Sequence, residues 1–276
     1  MTKKERDKKI QNQYRLNGVV PSPPDVRDYT PEMINLAAVA LPEEYELPYK
    51  APILNQGAYG SCVAHALSTA MRYGEALGQL QKHDFSRGFI YGNRLSNHYQ
   101  GEGMIIREAL YQLNHDGDCL YIDFPFNNTY PWCKNQISKD EKKLKEKAKP
   151  YIIVNYFRLT KDTDIKQALK TCGAVVCSIP VYPGFGAETT LPQPNEHLEG
   201  YHAICLVGWD KKGWILQNSW GTLWGKRGYF HIPYDYPVVE WWGLTVNGSP
   251  ATKSNIIKIL VKLSNLLKAV KKKICK

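Results

Sequence analysis

The hydrophobic pattern of the chain changes near residue 126, from helical spacing to short runs typical of β-strands. Before that point, CVAHALSTAMRYGEAL and IIREALYQLNHDG carry apolar residues at helical spacing, and Asp-Gly is expected to end the second helix. Afterwards come short β-branched or aromatic runs bounded by Gly, Pro or Asp: YIIVNYFRL, AVVCSIPVY, HAICLVGWD, GWILQNSW and GYFHIP. Helices followed by strands predict an α+β fold of two lobes, with the functional site in the cleft between them.

The same patterns divide the chain into successive segments. The lead-in contains VVPSPPDVRDYTPE, which is expected to run extended because proline restricts its own backbone and that of the residue before it. In the main body, KNQISKDEKKLKEKAKP predicts a solvated helical surface segment. The predicted bounds are a lead-in over 1–44, a body over 45–245 with a helical lobe over 45–125 and a β-rich lobe over 126–245, a linker over 246–254 and a tail over 255–276.

The stretch NQGAYGSCVAHA places Cys62 at the start of the first predicted helix. A thiolate is the reactive form of cysteine, and both a helix N-terminus and a neighbouring imidazolium favour it. His65 lies one turn further along the same helix and is interpreted as a packing residue. A base for Cys62 is therefore expected from a distant part of the chain.

His202 is the better candidate for that base. It lies 140 residues after Cys62 at the start of an apolar run, and QNSWGTLWGKRGYF follows with Asn218 and Trp220. A β-hairpin between the two runs would place Asn218 beside His202. Its amide oxygen would then accept a hydrogen bond from the ring, fix the tautomer and leave the other ring nitrogen facing Cys62. An indole beside this contact would exclude water from it.

The order of four residues, together with the motifs QGAYGSC and NSWGTLWGKRGY, resembles the papain-like cysteine peptidases. The four residues are Gln56, Cys62, His202 and Asn218. The details are most similar to the bacterial and phage-type members, over about residues 45–235. The resemblance implies a papain-like two-lobed fold, with a helical lobe, a barrel-like β-rich lobe and the active site in the cleft. It implies a protein or peptide substrate and neither a metal nor an organic cofactor.

The resemblance also implies roles for individual residues. Cys62 is the nucleophile, His202 is the general acid and base, and Asn218 orients the imidazole. The side-chain amide of Gln56 and the backbone N–H of Cys62 form the oxyanion hole. Trp220 shields the contact between Asn218 and His202.

Substrate contacts and departures from the family pattern are implied in the same way. Gly101 and Gly103 fall on the edge along which an extended substrate backbone pairs. Tyr59 replaces a cysteine that is usually disulfide-bonded, and Val63 replaces an aromatic wall of the cleft. Tyr201 precedes the histidine, where a small or polar residue is common, and is expected to narrow access. The lead-in is too short for the long helical propeptide of many eukaryotic members.

The net charge of +10 originates in the tail. Residues 251–276 hold eight lysines and no acidic residue, which leaves 28 basic against 26 acidic side chains in the rest of the chain. This distribution argues against a nucleic-acid partner.

The N-terminus lacks the apolar stretch of a secretory signal, and no run is long enough for a transmembrane helix. Seven cysteines do not form a dense disulfide framework. Cytoplasmic localisation is the default expectation, with attachment to a virion or membrane as the alternative.

The tail carries an apolar seam at 4-3-4-3-4 spacing, formed by Ile256, Leu260, Leu263, Leu267, Val270 and Ile274. Three interpretations stay open. The tail is a helix docked on the body, a helix that binds a protein partner or its own copy, or a helix that lies on a membrane surface to which its lysines are attracted.

The function predicted from these features is that of a cysteine endopeptidase acting through a Cys62 acyl-enzyme. Two alternatives stay open. In one, the same triad cleaves cell-wall peptide or isopeptide bonds. In the other, a papain-like body serves as a structural or binding component, with the lead-in lying across its cleft.

Overall fold

The computed structural model describes residues 18–95, 103–126, 129–183 and 197–251, and in addition residues 2, 5, 185, 194, 263 and 264. Gly101 and, apart from residues 263 and 264, the predicted tail helix lie outside the described residues. Among the described helices, none is both long and apolar enough to cross a membrane.

The first half of the body is helical, as the sequence predicts. Helix α1 spans Cys62–Leu77, α2 spans Arg87–Gly92 and α3 spans Ile106–His115. Helix α1 is buried along almost its whole length. Helix α3 ends at the predicted Asp-Gly pair, where Gly117 has a φ of 76° and a Cβ would overlap a backbone carbonyl. Only glycine fits this turn without strain.

Two further helices follow where the sequence predicts the start of the β-rich lobe. Helix α4 spans Tyr130–Lys139 and α5 spans Glu141–Ala148, and a short 3₁₀ turn covers Lys149–Tyr151. Helix α4 packs against α2 so closely that a Cβ at Gly92 would press on α4. The lysine-rich segment is thus helical as expected, but it belongs to the helical half of the body. The change to strands comes near residue 152 rather than residue 126.

The second half contains one antiparallel sheet. Its strands are β1 Tyr45–Glu46, β2 Ile153–Leu159, β3 Val175–Val181, β4 Gly200–Asp210, β5 Gly213–Gln217, β6 Tyr229–Ile232 and β7 Glu240–Val246, and helix α6 covers Asp162–Cys172. The order is β2-β7-β3-β4-β5-β6, with β1 paired to β4. The papain-like α+β fold is confirmed, but the sheet is not closed. The barrel-like description of this lobe is therefore wrong, because β2 and β6 end the sheet without pairing to each other.

Helix α1 joins the two halves because it packs against β4 and β7. Cys205 in β4 donates from Sγ to the Ala66 carbonyl at 3.1 Å. The Tyr73 hydroxyl donates to Gln217 Oε1 at 2.6 Å, at the end of β5. These buried contacts fix α1 against β4 and β5.

The segments flanking the body depart from their predicted forms. The proline-rich lead-in is not extended throughout, because turns form over residues 26–28 and 31–35. The predicted linker begins inside strand β7, and within it Ser249 and Ala251 are buried. This part of the linker packs against the body instead of standing free in solvent.

Candidate active site

Cys62 is the first residue of α1, and its side chain is fully buried. The backbone N–H of Ala203 donates to Cys62 Sγ at 3.4 Å. Since Ala203 follows His202 in strand β4, this bond places the thiol beside the predicted base. The predicted convergence of the start of α1 with the start of β4 is therefore present.

His202 and Asn218 meet as the predicted hairpin requires. The β4–β5 hairpin brings them together, and His202 Nε2 lies 2.7 Å from Asn218 Oδ1. The same oxygen accepts from the Ser219 backbone N–H at 2.7 Å, which fixes it as an acceptor. His202 Nε2 therefore carries the proton, and Nδ1 is left as a lone-pair acceptor. Among the described residues, Nδ1 has no hydrogen-bond partner.

Trp220 covers this contact. Its ring centroid lies 4.7 Å from that of His202, and the indole is buried. Phe185 and Trp224 pack edge-on against Trp220 from behind. This aromatic wall excludes water from the histidine–asparagine hydrogen bond, as the sequence predicts for Trp220.

Gln56 is held by hydrogen bonds at both ends of its amide. Ser219 Oγ donates to Gln56 Oε1 at 2.7 Å, and Gln56 Nε2 donates to the Tyr59 carbonyl at 2.8 Å. The Gln56 backbone N–H donates to the Ser219 carbonyl at 2.9 Å. The Gln56 side chain is fully buried. Ser219 was not singled out by the sequence, although it lies inside the NSW motif.

Burial makes both members of the Cys62–His202 pair neutral near pH 7. Desolvation raises the pKa of the Cys62 thiol to about 12, although the N–H groups of Ala203, Val63 and Cys62 itself act in the opposite direction. Desolvation lowers the pKa of His202 to about 4, and the hydrogen bond with Asn218 offsets only part of this. Desolvation therefore favours the neutral pair over a thiolate–imidazolium pair in this arrangement.

The lead-in contributes to that burial. A Cβ on Gly18 would overlap Cys62 Sγ, so the backbone of residue 18 lies directly against the thiol. The Met104 N–H donates to the Gly18 carbonyl at 3.1 Å, and the Val20 N–H donates to the Met104 carbonyl at 2.9 Å. Val19 and Met104 thus form a parallel bridge. The lead-in occupies the cleft beside Cys62, where a substrate would have to bind.

The remaining predicted residues fall around this cleft. Gly103 is buried, and its carbonyl accepts from Arg94 Nη1 at 2.7 Å. Tyr201 is half-buried in β4, next to His202. His65 packs as expected, with Nδ1 2.9 Å from the Ser61 carbonyl and its ring edge-on to Phe126. Burial lowers the pKa of His65 to about 3.

A thiol at a helix start, an asparagine-oriented imidazole and a buried glutamine amide, in a cleft of an α+β fold, define a cysteine-dependent hydrolase. A sequence model described as "Papain family cysteine protease" matches residues 42–239. Since it covers most of the chain, the protein belongs to the papain family of cysteine proteases.

Individual relatives agree with this assignment. An uncharacterized peptidase C1-like protein of Acanthamoeba polyphaga mimivirus is 31% identical over 70% of this chain and 68% of its own length. A viral cathepsin of Adoxophyes honmai nucleopolyhedrovirus is 28% identical over 76% of this chain and 59% of its own length. Among solved structures, xylellain, a cysteine protease from Xylella fastidiosa, superimposes with a TM-score of 0.71 at 26% identity, covering 84% of this chain and 97% of that one.

Proposed function

We propose that this protein is a cysteine endopeptidase in a covered state, with Cys62 as its nucleophile and His202 as its general acid and base. The observation that carries the proposal is the hydrogen bond between His202 and Asn218, with Cys62 Sγ held against the next residue of β4. This geometry leaves His202 Nδ1 as the acceptor for the thiol proton.

In the proposed reaction, the Cys62 thiolate attacks a peptide carbonyl carbon, and the C–N bond breaks as His202 gives a proton to the leaving amine. Water then attacks the thioester, with His202 taking a proton from it, and Cys62 is released. The Cys62 N–H and the second N–H of Gln56 Nε2 stabilise the oxyanion, and losing one such donor typically costs ~10²–10³ in rate. Ser219 holds the Gln56 amide in the orientation that this requires.

Access of substrate requires displacement of the lead-in. Gly18 lies against Sγ, and both reacting groups are desolvated beneath it. Release of the lead-in lets water and substrate reach the pair, which moves the two pKa values toward each other and favours the thiolate. The full chain is therefore proposed to be latent.

Labelling with an epoxysuccinyl inhibitor, read by intact mass, tests this function. We expect slow labelling of the full chain, faster labelling of the full-length double variant Gly18→Phe/Asp28→Ala, and no labelling when Cys62→Ala is added. Cys172→Ala is the matched control, because Cys172 is also a buried thiol but lies at the end of α6. Failure of the double variant to react would contradict the proposal and favour a structural or binding role for the papain-like body.

The finer assignments are part of the proposal. Likeness to the bacterial Xylella enzyme supports a place among the bacterial and phage-type members, while the viral relatives favour no branch. Cleavage of cell-wall peptides is the second candidate substrate, and turnover of peptidoglycan fragments without turnover of unfolded protein would favour it. Cytoplasmic localisation, and the binding of the tail to a membrane or a partner, stay predictions.

A further inference from the structure

A pair of arginines at the side of the cleft binds one carboxylate of the lead-in. Arg107 donates from Nε and Nη2 to the two carboxylate oxygens of Asp28, at 2.6 and 2.7 Å. Arg158 Nη1 donates to Asp28 Oδ2 at 3.2 Å. Arg107 lies in the first turn of α3 and Arg158 lies in β2, so the two guanidinium groups approach the carboxylate from different halves of the fold. Bidentate pairing of this kind is how arginine recognises carboxylates.

Apart from Asp28, the body contacts Arg158 through Glu240 and Trp242, and it contacts Arg107 through Trp242. Glu240 Oε2 lies 3.5 Å from Arg158 Nη2 and accepts from Trp242 Nε1 at 2.7 Å. Both guanidinium groups lie over the Trp242 ring, at 5.8 Å for Arg107 and 5.3 Å for Arg158. Because the Glu240 side chain is fully buried and already bound, it is poorly placed to recruit a cation. Arg107 and Arg158 carry two positive charges and Glu240 carries one negative charge. The excess positive charge favours the binding of an anion at this position.

The arginine pair is continuous with the reactive cleft. The Ser22 carbonyl accepts from Arg158 Nη2 at 3.2 Å, and Ser22 Oγ accepts from the Arg107 N–H at 3.3 Å. The Ser22 N–H donates to Glu240 Oε1 at 3.2 Å. Ser22 lies four positions after Gly18, which lies on the thiol, and an extended chain of that length spans at most about 14 Å. A peptide bound at Cys62 therefore reaches the arginines within about five residues of its scissile bond.

We propose that Arg107 and Arg158 form a carboxylate-binding subsite, which takes an aspartate or glutamate side chain of the peptide substrate after the lead-in has left. Asp28 fills this subsite in the covered state. The inference rests on the proposed peptidase function, and it adds that this peptidase selects acidic substrates. It also accounts for the acidic side chain that the lead-in places against both arginines.

The test uses the full-length double variant Gly18→Phe/Asp28→Ala, which removes the fit over the thiol and vacates the arginine pair. Fluorogenic peptides that differ only in Glu, Gln or Lys are compared at each of the five positions on either side of the scissile bond. At one position we expect Glu to exceed Gln in kcat/KM by about tenfold to a hundredfold, mainly through KM, as for a charge-assisted hydrogen bond. Adding Arg107→Gln or Arg158→Gln should lower that ratio toward one.

Arg72→Gln is the matched control, because Arg72 is a part-buried arginine of α1 that donates from Nε to the Tyr49 hydroxyl. This change should leave the ratio unchanged. Equal rates with Glu and Gln at every position would overturn the subsite, as would a preference for Lys or a Glu preference that survives both arginine changes. If an arginine variant does not fold, the Glu-to-Gln ratio of kcat/KM for the double variant still tests the proposed subsite. Absence of both turnover and Cys62 labelling would instead contradict the proposed function.

Discussion

The proposed catalytic residues and the lead-in that covers them are held by different kinds of contact. Cys62, His202 and Asn218 are buried and belong to α1 and the β4–β5 hairpin, which the hydrophobic core fixes together. The lead-in touches the cleft through two backbone hydrogen bonds to Met104, through the buried side chain of Val19 and through polar contacts of Ser22 and Asp28. Its turn reaches solvent, where the Val26 residue is 98% exposed.

The two regions are therefore expected to differ in the free energy that is needed to open them. Segments with few buried apolar contacts open at a lower free energy than core elements. Between residues 18 and 28 of the lead-in, Val19 is the one buried apolar side chain, so this part is expected to leave the cleft without loss of the sheet or of α1. Activation then needs no remodelling of the hydrogen bond between His202 and Asn218, because this bond is already present in the covered state.

The largest effect is expected from loss of the Asn218 side chain, which would lower kcat without changing how the lead-in covers the cleft. In the double variant Gly18→Phe/Asp28→Ala, addition of Asn218→Ala should lower kcat by ~10²–10⁴, because His202 loses the partner that fixes its tautomer. Steady-state turnover of a fluorogenic peptide measures this.

Asn114→Ala is the control for that change. Asn114 is a half-buried amide that donates to the Ile153 carbonyl at 2.7 Å, away from the cleft. It should alter stability slightly and leave kcat at its parent value. Equal kcat for the Asn218 variant and its parent would show that the histidine–asparagine bond has no part in catalysis.

The positions of Cys62 and Asn218 in the fold were predictable because each carries a local signal. Cys62 begins a strongly periodic helix, and Asn218 directly follows a strand whose pairing register is set by the core. The side of the fold to which α4 belongs was not predictable in this way. Only Cys133 and Ile137 are buried in it, which is too few apolar positions to indicate what it packs against.

The arginine pair could not be read from the sequence at all. Arg107, Arg158 and Glu240 lie far apart along the chain, and each looks like an ordinary charged side chain on a surface. Only the packing of α3, β2 and β7 brings them together around Asp28. The contact of Gly18 with Cys62 is equally long-range, and a lone glycine gives no signal for it.

The second prediction concerns the stability of the fold at acidic pH, and it tests whether the lead-in keeps His202 neutral. The pKa of His202 lies at about 4 in the folded chain, below its ordinary value of 6.5. Below 6.5 the unfolded chain therefore binds a proton that the folded chain binds only near pH 4. The stabilisation from neutral His202 is complete above pH 6.5 and is lost as pH falls through 4.

Urea unfolding at about pH 7.5 and at about pH 4.5 measures this loss. Wild type should lose on the order of 2 kcal/mol more free energy of unfolding than His202→Ala over that interval. His115→Ala, which changes an exposed histidine, should lose as much as wild type. Identical losses for wild type and His202→Ala would mean that His202 is already solvated beneath the lead-in.

The smallest effect is expected from the single substitution Gly18→Phe. It tests most directly whether the lead-in controls access to Cys62. Gly18→Phe puts a ring where even a Cβ overlaps Cys62 Sγ, and overpacking of this kind costs about 1–3 kcal/mol. Labelling of Cys62 in the full chain should accelerate about tenfold, since 1.4 kcal/mol corresponds to a factor of ten in the open population. Val26→Phe adds the same ring to the same lead-in at an exposed position and should leave the rate unchanged. If both variants react at the wild-type rate, the lead-in does not control access to the thiol, and the latency proposed for the full chain fails while the catalytic assignment stands.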